Sequence, residues 1–286
     1  MKKLTLLLLV CFATICLAQD KIPAIITKPG ALDAIKGHVQ GACCSAEAIY
    51  LSHIDGIFKL DWEGNVLKHV TLPRHTGDIC YYKGRIYDSL SNPQGFNLMV
   101  LDDDLNIVGK YKFPGGDGAT ILNDVLYIGT GPCPAQPHRY SSISTFDLNR
   151  IKQAETEQQK DGTAISLGNT FLKKMTLDYG SETNYGVQDF ANDGKYIYAM
   201  FYAANGGDPC VILTPDLKVV KTVRFDASTG FDFLPPSRNH GKNPRFFRVR
   251  HYGGDWRKQN PKTQPAQVRI DFFEVVDGNF INITAD

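Results

Sequence analysis

"AIYLSHIDGIFKLDWEGNVLKHVTLP", which runs from Ala48 to Pro73, carries the pattern that decides the fold. Short runs of β-branched and aromatic residues alternate with turns that contain Gly, Asn or Asp, as β-strands and their connections require. The stretch predicts a strand, a turn, a strand, a polar turn and a third strand. No segment of the chain keeps an apolar period of 3.6 residues for long, which argues against an α/β fold.

The same order of elements recurs along the chain. "RIYDSLSNPQGFNLMVLDDDLNIVGKYKFP" (Arg85–Pro114) and "KYIYAMFYAANGGDPCVILTPDLKVVKTVRF" (Lys195–Phe225) repeat the whole unit. "VLYIGTG" followed by "SSISTFDLN" repeats its middle strands, and "RFFRVRHYGG" followed by "AQVRIDFFEVVDGNFINI" is a looser fifth copy. Self-similarity of this kind is the sequence signature of a repeat architecture.

A further short strand that begins at a glycine precedes each copy. The leading glycines are Gly41, Gly77, Gly118, Gly186 and Gly230, with spacings of 36, 41, 68 and 44 residues. Three spacings are close to the ~40–45 residues of a four-stranded propeller blade. The long spacing contains a polar insertion at 149–170, for which we expect a surface excursion with one helical turn.

Five copies of four strands predict an all-β, five-bladed β-propeller of antiparallel blades, with six blades as the alternative count. The closure of the ring is left open by the sequence. "DKIPAIITKPG" (Asp20–Gly30) is one candidate for the outer strand of the last blade, and "NFINITAD" (Asn279–Asp286) is the other.

The first 18 residues are typical of a secretory signal peptide. Lys2 and Lys3 precede the apolar run "LTLLLLVCFATICLA", and Ala18 offers a small residue at the cleavage site. Neither Cys11 nor Cys16 follows a small residue, which favours a cleaved signal over a lipoprotein anchor. The sequence therefore predicts one propeller domain at 19–286, secreted or periplasmic in a bacterium, with no membrane span after cleavage.

Net charge and cysteine content limit the partners, disulfides and metal sites to be expected. The formal net charge is +1, which gives no electrostatic reason to expect a nucleic-acid partner. The apolar context of Cys43, Cys44 and Cys80 predicts small core residues. Cys133 and Cys210 lie in Gly/Pro-rich stretches and are the candidates for a disulfide. No C-x-x-C or H-x-x-x-H spacing indicates zinc.

Polar residues cluster around the leading glycines. The first strand of each blade lines the central channel, so residues near its start converge on one mouth, where a ligand pocket is expected. They are His38 and Gln40 in the first copy, His75 and Asp78 in the second, Asp117 in the third, Tyr185, Gln188 and Asp189 in the fourth, and Asp232 in the fifth. Strand alternation predicts that His38 and Gln40 share a face and that Asp189 is a packing residue. Residues of these types beside glycine are also typical of turns and caps.

Two long loops add basic residues. "PCPAQPHRYSS" contains Arg139, and "PPSRNHGKNPRFFRVRHYGGDWRKQ" contains Arg238 and His240 in a locally basic stretch interleaved with aromatic residues. Arginine forks bind carboxylate or sulfate bidentately, so we expect contacts to a substrate here. A solvated loop is the alternative, and the alternation in "RFFRVRH" places some of the arginines on one face of a strand.

With its glycine-led repeats and "IY" strands, the mature chain resembles the five-bladed propellers of secreted bacterial carbohydrate-active enzymes. Furanoside-cleaving members place a catalytic carboxylate near the first strand of each of the first three blades. This chain offers Asp78 and Asp117 in the second and third, but His38 and Gln40 in the first, so it departs from that pattern. Other propeller glycosidases and polysaccharide lyases use His and Tyr as acid and base, which suits His38, His75 and Tyr185.

The resemblance implies an enzyme that acts on an oligo- or polysaccharide, of which an anionic one is an option, as a glycoside hydrolase or lyase. The expected catalytic residues are His38, His75, Asp78, Asp117 and Tyr185. The expected substrate contacts are Gln40, Gln188, Asp232, Arg139, Arg238 and His240. We expect no required cofactor. A divalent cation in the channel, held by His38, His75 and Gln188, is one alternative, and a non-catalytic propeller that binds a glycan or a protein is another.

Overall fold

The described part of the chain is all-β, with almost no helix. The computed structural model describes residues 21–35, 37–72, 75–89, 98–112, 116–130, 140–151, 165–166, 171–178, 186–202, 209–226, 229–252 and 265–285. Within these ranges there is one helical turn, at 148–151, where the inserted segment begins. No helix of the described part is long and apolar enough to cross a membrane.

Five antiparallel sheets of four principal strands form the blades, and short strands at the chain ends and in the insertion join them. The ends contribute β1 (Ile22–Pro23) and β2 (Ile25–Ile26). Blade one contains β3 (Val39–Cys44), β4 (Ile49–His53), β5 (Gly56–Leu60) and β6 (Val66–Thr71). Blade two contains β7 (Ile79–Tyr82), β8 (Arg85–Ser89), β9 (Leu98–Asp102) and β10 (Ile107–Lys112). Blade three contains β11 (Gly118–Leu122), β12 (Val125–Thr130), β13 (Tyr140–Asp147) and β15 (Phe171–Asp178), with β14 (Ile165–Ser166) between the last two in sequence. Blade four contains β16 (Val187–Asn192), β17 (Ile197–Phe201), β18 (Pro209–Leu213) and β19 (Val219–Arg224). Blade five contains β20 (Phe231–Phe233), β21 (Arg245–Tyr252), β22 (Gln267–Val276) and β23 (Asn279–Asn282), and β24 (Thr284–Ala285) follows.

The innermost strands β3, β7, β11, β16 and β20 contact one another around a central channel. This arrangement confirms the predicted five-bladed propeller with four antiparallel strands per blade. The six-bladed alternative is wrong, because the five sheets account for all five sequence copies and the last blade packs against the first.

Both candidate segments close the ring, because β22 is long enough to pair with two partners. Its first half pairs with β2 from the N-terminal end, with Ile25 opposite Ile270, and its second half pairs with β23, with Asn282 opposite Phe273. A short parallel pairing of β1 with β24 adds to the closure. The inserted segment also returns to the body, where β14 pairs with β10 at the outer edge of blade two.

The core consists of apolar layers between adjacent blades. Leu51 and Phe58 of blade one pack with Phe247 and Val249 of blade five in one layer. Phe246, which directly precedes Phe247 in β21 and so alternates with it, points to the other side and packs against blade four. Each blade is therefore apolar on both faces, and only the ring buries both.

The leading glycines are explained by the crowding of the inner strands. A Cβ at Gly41 would lie 2.5 Å from the Cα of Asp78 in the next blade. A Cβ at Gly230 of blade five would lie 2.7 Å from the backbone nitrogen of Ala42 in blade one. Since real Cβ atoms do not tolerate such contacts with backbone, a glycine is needed where one inner strand crosses close to its neighbour.

The Asp78 carboxylate joins three blades at the channel. Its Oδ2 accepts hydrogen bonds from the backbone N–H groups of Phe190 at 2.8 Å and Ala119 at 3.2 Å, which belong to blades four and three. The Asp78 N–H donates in turn to the carbonyl of Asp117 at 3.0 Å. An inner strand has one edge without a pairing strand, so its buried N–H groups need acceptors from elsewhere. Asp78, only 1% exposed, supplies them.

The cysteines of the described part are buried free thiols. Cys43 and Cys44 lie in β3 and Cys80 lies in β7, which confirms the prediction of core residues. Cys210 was expected in a loop, but it lies in β18 and is fully buried, so the predicted disulfide with Cys133 is wrong for this residue. Cys133 itself lies outside the described residues.

Replacing Asp78 by alanine is expected to lower the free energy of unfolding by about 2–4 kcal/mol, because two buried backbone N–H groups lose their acceptor. Asp78→Asn keeps one oxygen acceptor and should lose less. Urea titrations followed by tryptophan fluorescence measure both. Asp104→Ala, an exposed aspartate on a turn, is the control and should change stability by less than about 0.5 kcal/mol. Equal stabilities of the Asp78→Ala and Asp104→Ala variants would contradict the assigned role.

Candidate functional site

The two ends of the channel differ in chemistry. We call the end at which the innermost strands begin the entry mouth, and the end at which they finish the exit mouth. His38, Gln40, His75, Asp117 and Gln188, which lie in or before the first residues of these strands, are at the entry mouth. The structure therefore brings five of the predicted site residues to one end of the propeller.

Two glutamines occupy matched β-bulges at this mouth. In blade one, Val39 pairs with His53 and Gly41 with Ser52, so Gln40 is an extra residue in β3. In blade four, Val187 pairs with Phe201 and the next pair is Asp189 with Met200, so Gln188 is an extra residue in β16. A bulge re-aims its side chain out of the regular ladder, and bulges are over-represented beside functional sites.

The matched bulges show which residues of blade four are equivalent to those of blade one, and they correct the equivalence that was predicted from Gly186. Val187-Gln188-Asp189 matches Val39-Gln40-Gly41, so Asp189 stands where blade one has its glycine, and Gly186 precedes the matched segment. The signal was present in the sequence as the dipeptide Val-Gln in both copies. Aligning the copies on glycine concealed it.

Gln40 fixes the imidazole of His38. The side-chain amide nitrogen of Gln40 lies 2.6 Å from Nε2 of His38, and both residues are half-buried. The predicted proximity of the two side chains is confirmed. Rotating the amide by half a turn exchanges its nitrogen and oxygen, and then Oε1 accepts the Nε2 proton while Nδ1 carries the lone pair. In either arrangement the amide determines which ring nitrogen holds the proton.

Backbone hydrogen bonds fix the position of the chain at His75 and Asp117. The residue after His75, Thr76, donates its N–H to the carbonyl of Ile54 at 2.8 Å. Asp117 donates its N–H to the carbonyl of Gly129 and accepts from Asp78, both at 3.0 Å. The side chain of His75 is exposed and that of Asp117 is half-buried. Both side chains are therefore accessible to a ligand at the entry mouth.

Asp78 and Asp189 lie inside the channel, below the mouth. Burial raises the pKa of the Asp78 carboxyl well above its ordinary value, and the nearby charge of Asp189 raises it further. Asp189 is fully buried, as expected of a packing residue. The catalytic role predicted for Asp78 stays a prediction. The hydrogen bonds that its carboxylate accepts from Ala119 and Phe190 connect neighbouring blades.

Asp232 does not join the mouth cluster, which corrects the position predicted for it. Gly230 lies beside Gly41 and Ala42, so Asp232 is two residues deeper and accepts the N–H of Cys44, the last residue of β3, at 2.9 Å. It also accepts the N–H of Phe233 at 2.8 Å. Burial raises the pKa of Asp232 to about 7, although these hydrogen bonds oppose the increase.

The exit mouth opens into a separate cavity of about 630 Å³. Asp232, Tyr81, Asn123, Asn192 and Arg245 are among the residues that line it. It is bounded by the turns that follow the inner strands, so it lies at the opposite end of the channel from His38.

Arg238 and His240 also lie away from the entry mouth. Both line a groove of about 800 Å³ beside the N-terminal strands. The Arg238 guanidinium stacks on Trp62, 4.8 Å from the ring centroid, and its Nε donates to the carbonyl of Ala46 at 2.9 Å. The structure therefore gives them no part in a site with His38.

The remaining predicted residues are not placed. Tyr185 and Arg139 lie outside the described residues, so their predicted roles stay predictions. Among the residues that the structure describes, no group of three His, Cys, Asp or Glu side chains is arranged to hold a metal ion.

Comparison with known proteins supports the fold. The propeller is similar to glutaminyl cyclase from Myxococcus xanthus, with a TM-score of 0.52 and 14% identity over 90% of this chain and 97% of that one. It is also similar to a luciferin-regenerating enzyme, with a TM-score of 0.46 and 9% identity over 88% and 83% of the two chains. No family model and no curated protein matches the sequence. At this identity the likeness concerns architecture alone.

The raised pKa of Asp232 predicts that the free energy of unfolding falls as the pH rises. Its pKa of about 7 exceeds the ordinary value of 3.8, so between those values the folded protein binds a proton that the unfolded chain releases. This contribution is complete below about pH 4 and is lost as the pH rises through 7. We expect the free energy of unfolding to be lower at pH 8 than at pH 5, with Asp232 accounting for up to about 3 kcal/mol.

Denaturant titrations at the two pH values measure this difference, and Asp232→Asn should reduce it. Asp78, whose pKa is also raised, continues to contribute in that variant. Asp104→Asn is the control and should keep the wild-type difference. An unchanged difference in Asp232→Asn would show that Asp232 is ionised in the folded protein at pH 5.

Proposed function

We propose that this propeller is an enzyme that acts on a glycan at its entry mouth, with His38 as the proton-transfer residue. The observation that carries the proposal is the bond between Gln40 and His38 at a bulge that blade four repeats with Gln188. An imidazole held in one tautomer, half-buried and close to neutral polar groups, is the arrangement that acid–base catalysis near neutral pH uses.

The positions of the carboxylates favour elimination over hydrolysis. A glycoside hydrolase commonly needs two carboxyl groups on either side of the scissile bond. Of the three carboxylates predicted for the site, Asp117 lies at the mouth, Asp78 lies in the channel, and Asp232 lies at the exit. The entry mouth instead offers imidazole and amide groups, which suit proton abstraction from a uronic acid unit.

In such a β-elimination, His38 removes the proton from the carbon next to the carboxylate. The bond from the adjacent carbon to the glycosidic oxygen breaks, a carbon–carbon double bond forms, and the leaving oxygen takes a proton. His38 acts as the base when Gln40 accepts the Nε2 proton and Nδ1 carries the lone pair. His75, in its protonated form, supplies the proton to the leaving oxygen, Asp117 is the carboxylate of the same mouth, and Gln188 binds sugar hydroxyls.

The first 18 residues fit this function. A cleaved secretory signal would deliver the protein to the periplasm or the exterior, where polysaccharides are encountered. The proposed chemistry requires no cofactor.

A screen against neutral, uronic and sulfated oligosaccharides tests the function, and an increase in ultraviolet absorbance reports an unsaturated product. The panel includes a peptide with an N-terminal glutamine, because a glutaminyl cyclase has the same fold. On the substrate found, His38→Ala should lower kcat by about 10²-fold or more, since it removes the proton-transfer group. Gln40→Ala should lower kcat less and alter the pH profile, because the tautomer is no longer fixed.

His69→Ala is the matched control, because His69 is an exposed histidine on the outer strand of the same blade. It should keep wild-type kcat and KM. Full activity of His38→Ala would show that the site is wrong. Binding of an oligosaccharide with no turnover by the wild-type protein would instead support a non-catalytic binding propeller.

A further inference from the structure

Blade five carries a cluster of three arginines around one carboxylate. In the pairing of β21 with β22, Arg248 lies opposite Asp271 and Arg250 lies opposite Arg269. Two like charges directly opposite one another on a sheet destabilise it. Their presence on a partly buried face therefore calls for a compensating negative charge.

Asp271 provides only part of that charge. Its Oδ1 accepts from Arg269 Nε at 2.7 Å, and its Oδ2 lies 2.5 Å from Arg250 Nη2 and 3.5 Å from Arg248 Nη2. Burial would raise the pKa of Asp271, but the hydrogen bonds and charges of Arg269 and Arg250 more than offset this and lower it. Asp226, whose carboxylate charge also acts on Arg248, is the second acidic group of this neighbourhood. Three guanidinium groups against these two carboxylates leave the described cluster with a net charge of about +1.

The guanidinium groups have donors left over. Among the described residues, Nε of Arg248 and Nε of Arg250 are buried without a hydrogen-bond partner. Arg248 donates one further bond, from Nη1 to the carbonyl of Asp226 at 2.9 Å. The side chain of Arg250 is 43% exposed and that of Arg269 is 30% exposed, whereas that of Asp271 is 1% exposed. A ligand can therefore reach the outer two arginines.

Aromatic rings hold the innermost arginine in place. The Arg248 guanidinium lies 5.3 Å from the ring centroid of Phe225 and 5.0 Å from that of Phe273. These contacts with the ring faces fix the plane of the fork before any ligand binds. Phe225 and Asp226 follow β19 on the way to β20, so the cluster opens between blades four and five on the entry side of the propeller.

We propose that Arg248, Arg250 and Arg269 form a subsite for an oxyanion, the carboxylate or sulfate group of a glycan. Planar guanidinium forks match the oxygen pairs of both groups, and a bound anion would balance the like charges of Arg250 and Arg269. The assignment of this anion to a glycan rests on the proposed function, whereas binding of the anion itself does not. Within the proposed function, the subsite would select a glycan that carries an anionic unit.

Sodium sulfate, titrated against the full chain by calorimetry at constant ionic strength, tests the subsite. Sodium chloride replaces sulfate in the reference titration. Wild-type protein should bind sulfate, and Arg250→Gln should bind it roughly tenfold or more weakly. Arg224→Gln is the matched control, because it removes one positive charge from an exposed position on blade four and should bind like the wild type. Arg250→Lys keeps the charge but loses the fork, and it too should bind more weakly.

Glucuronate and glucose 6-sulfate, titrated in the same way, distinguish the two sources of the anion. Equal weakening of sulfate binding in Arg250→Gln and Arg224→Gln, or no sulfate binding by the wild type, would overturn the subsite. His38→Ala should bind sulfate like the wild type. If sulfate binding follows Arg250 while no glycan is turned over, the subsite stands and the proposed function falls. If His38-dependent turnover is found and sulfate does not bind, the proposed function stands and the subsite falls.

Discussion

The unpaired inner edges of five strands impose the main constraint on this structure. Each innermost strand faces the channel with backbone N–H groups that no neighbouring strand can pair, and these groups are buried. Asp78 joins blades two, three and four by accepting from Ala119 and Phe190, and Asp232 joins blades five and one by accepting from Cys44, so two carboxylates involve all five blades. The ring therefore depends on polar groups at its centre as well as on the apolar layers between blades.

This constraint separates structure from chemistry along the channel. Carboxylates deep in the channel are committed to backbone N–H groups, and burial raises the pKa of Asp78 and Asp232. Asp78, which is only 1% exposed, is poorly placed to contact a substrate from solvent. The entry mouth is different, because its polar side chains lie before or at the start of the inner strands and its two bulges free Gln40 and Gln188 from the regular ladder. Acid–base chemistry is consequently argued for His38 and not for Asp78.

A chain with a net charge of only +1 can still carry a locally basic surface. Blade five concentrates three arginines at its face toward blade four, where they meet the carboxylate of Asp271 and, at Arg248, the charge of Asp226. The likeness to a glutaminyl cyclase at 14% identity shows that the same architecture is reached with largely different side chains. Function in such a fold lies in the residues around the channel and between the blades, and not in the blade repeat itself.

The sequence by itself indicated five blades, the four strands in each and the leading glycines of four blades, because strand periodicity and turn residues are local properties. It also predicted that the side chains of His38 and Gln40 lie on the same face and that Asp189 is buried. Only the tertiary structure decided the depth of each polar residue. Bulges at Gln40 and Gln188 are defined by pairing with a second strand, and one extra residue changes which positions are equivalent. Asp232 reaches the exit end because β20 is set by its contact with β3. The joint closure by β2 and β23 depends on the length of β22, which neither end of the chain reveals alone.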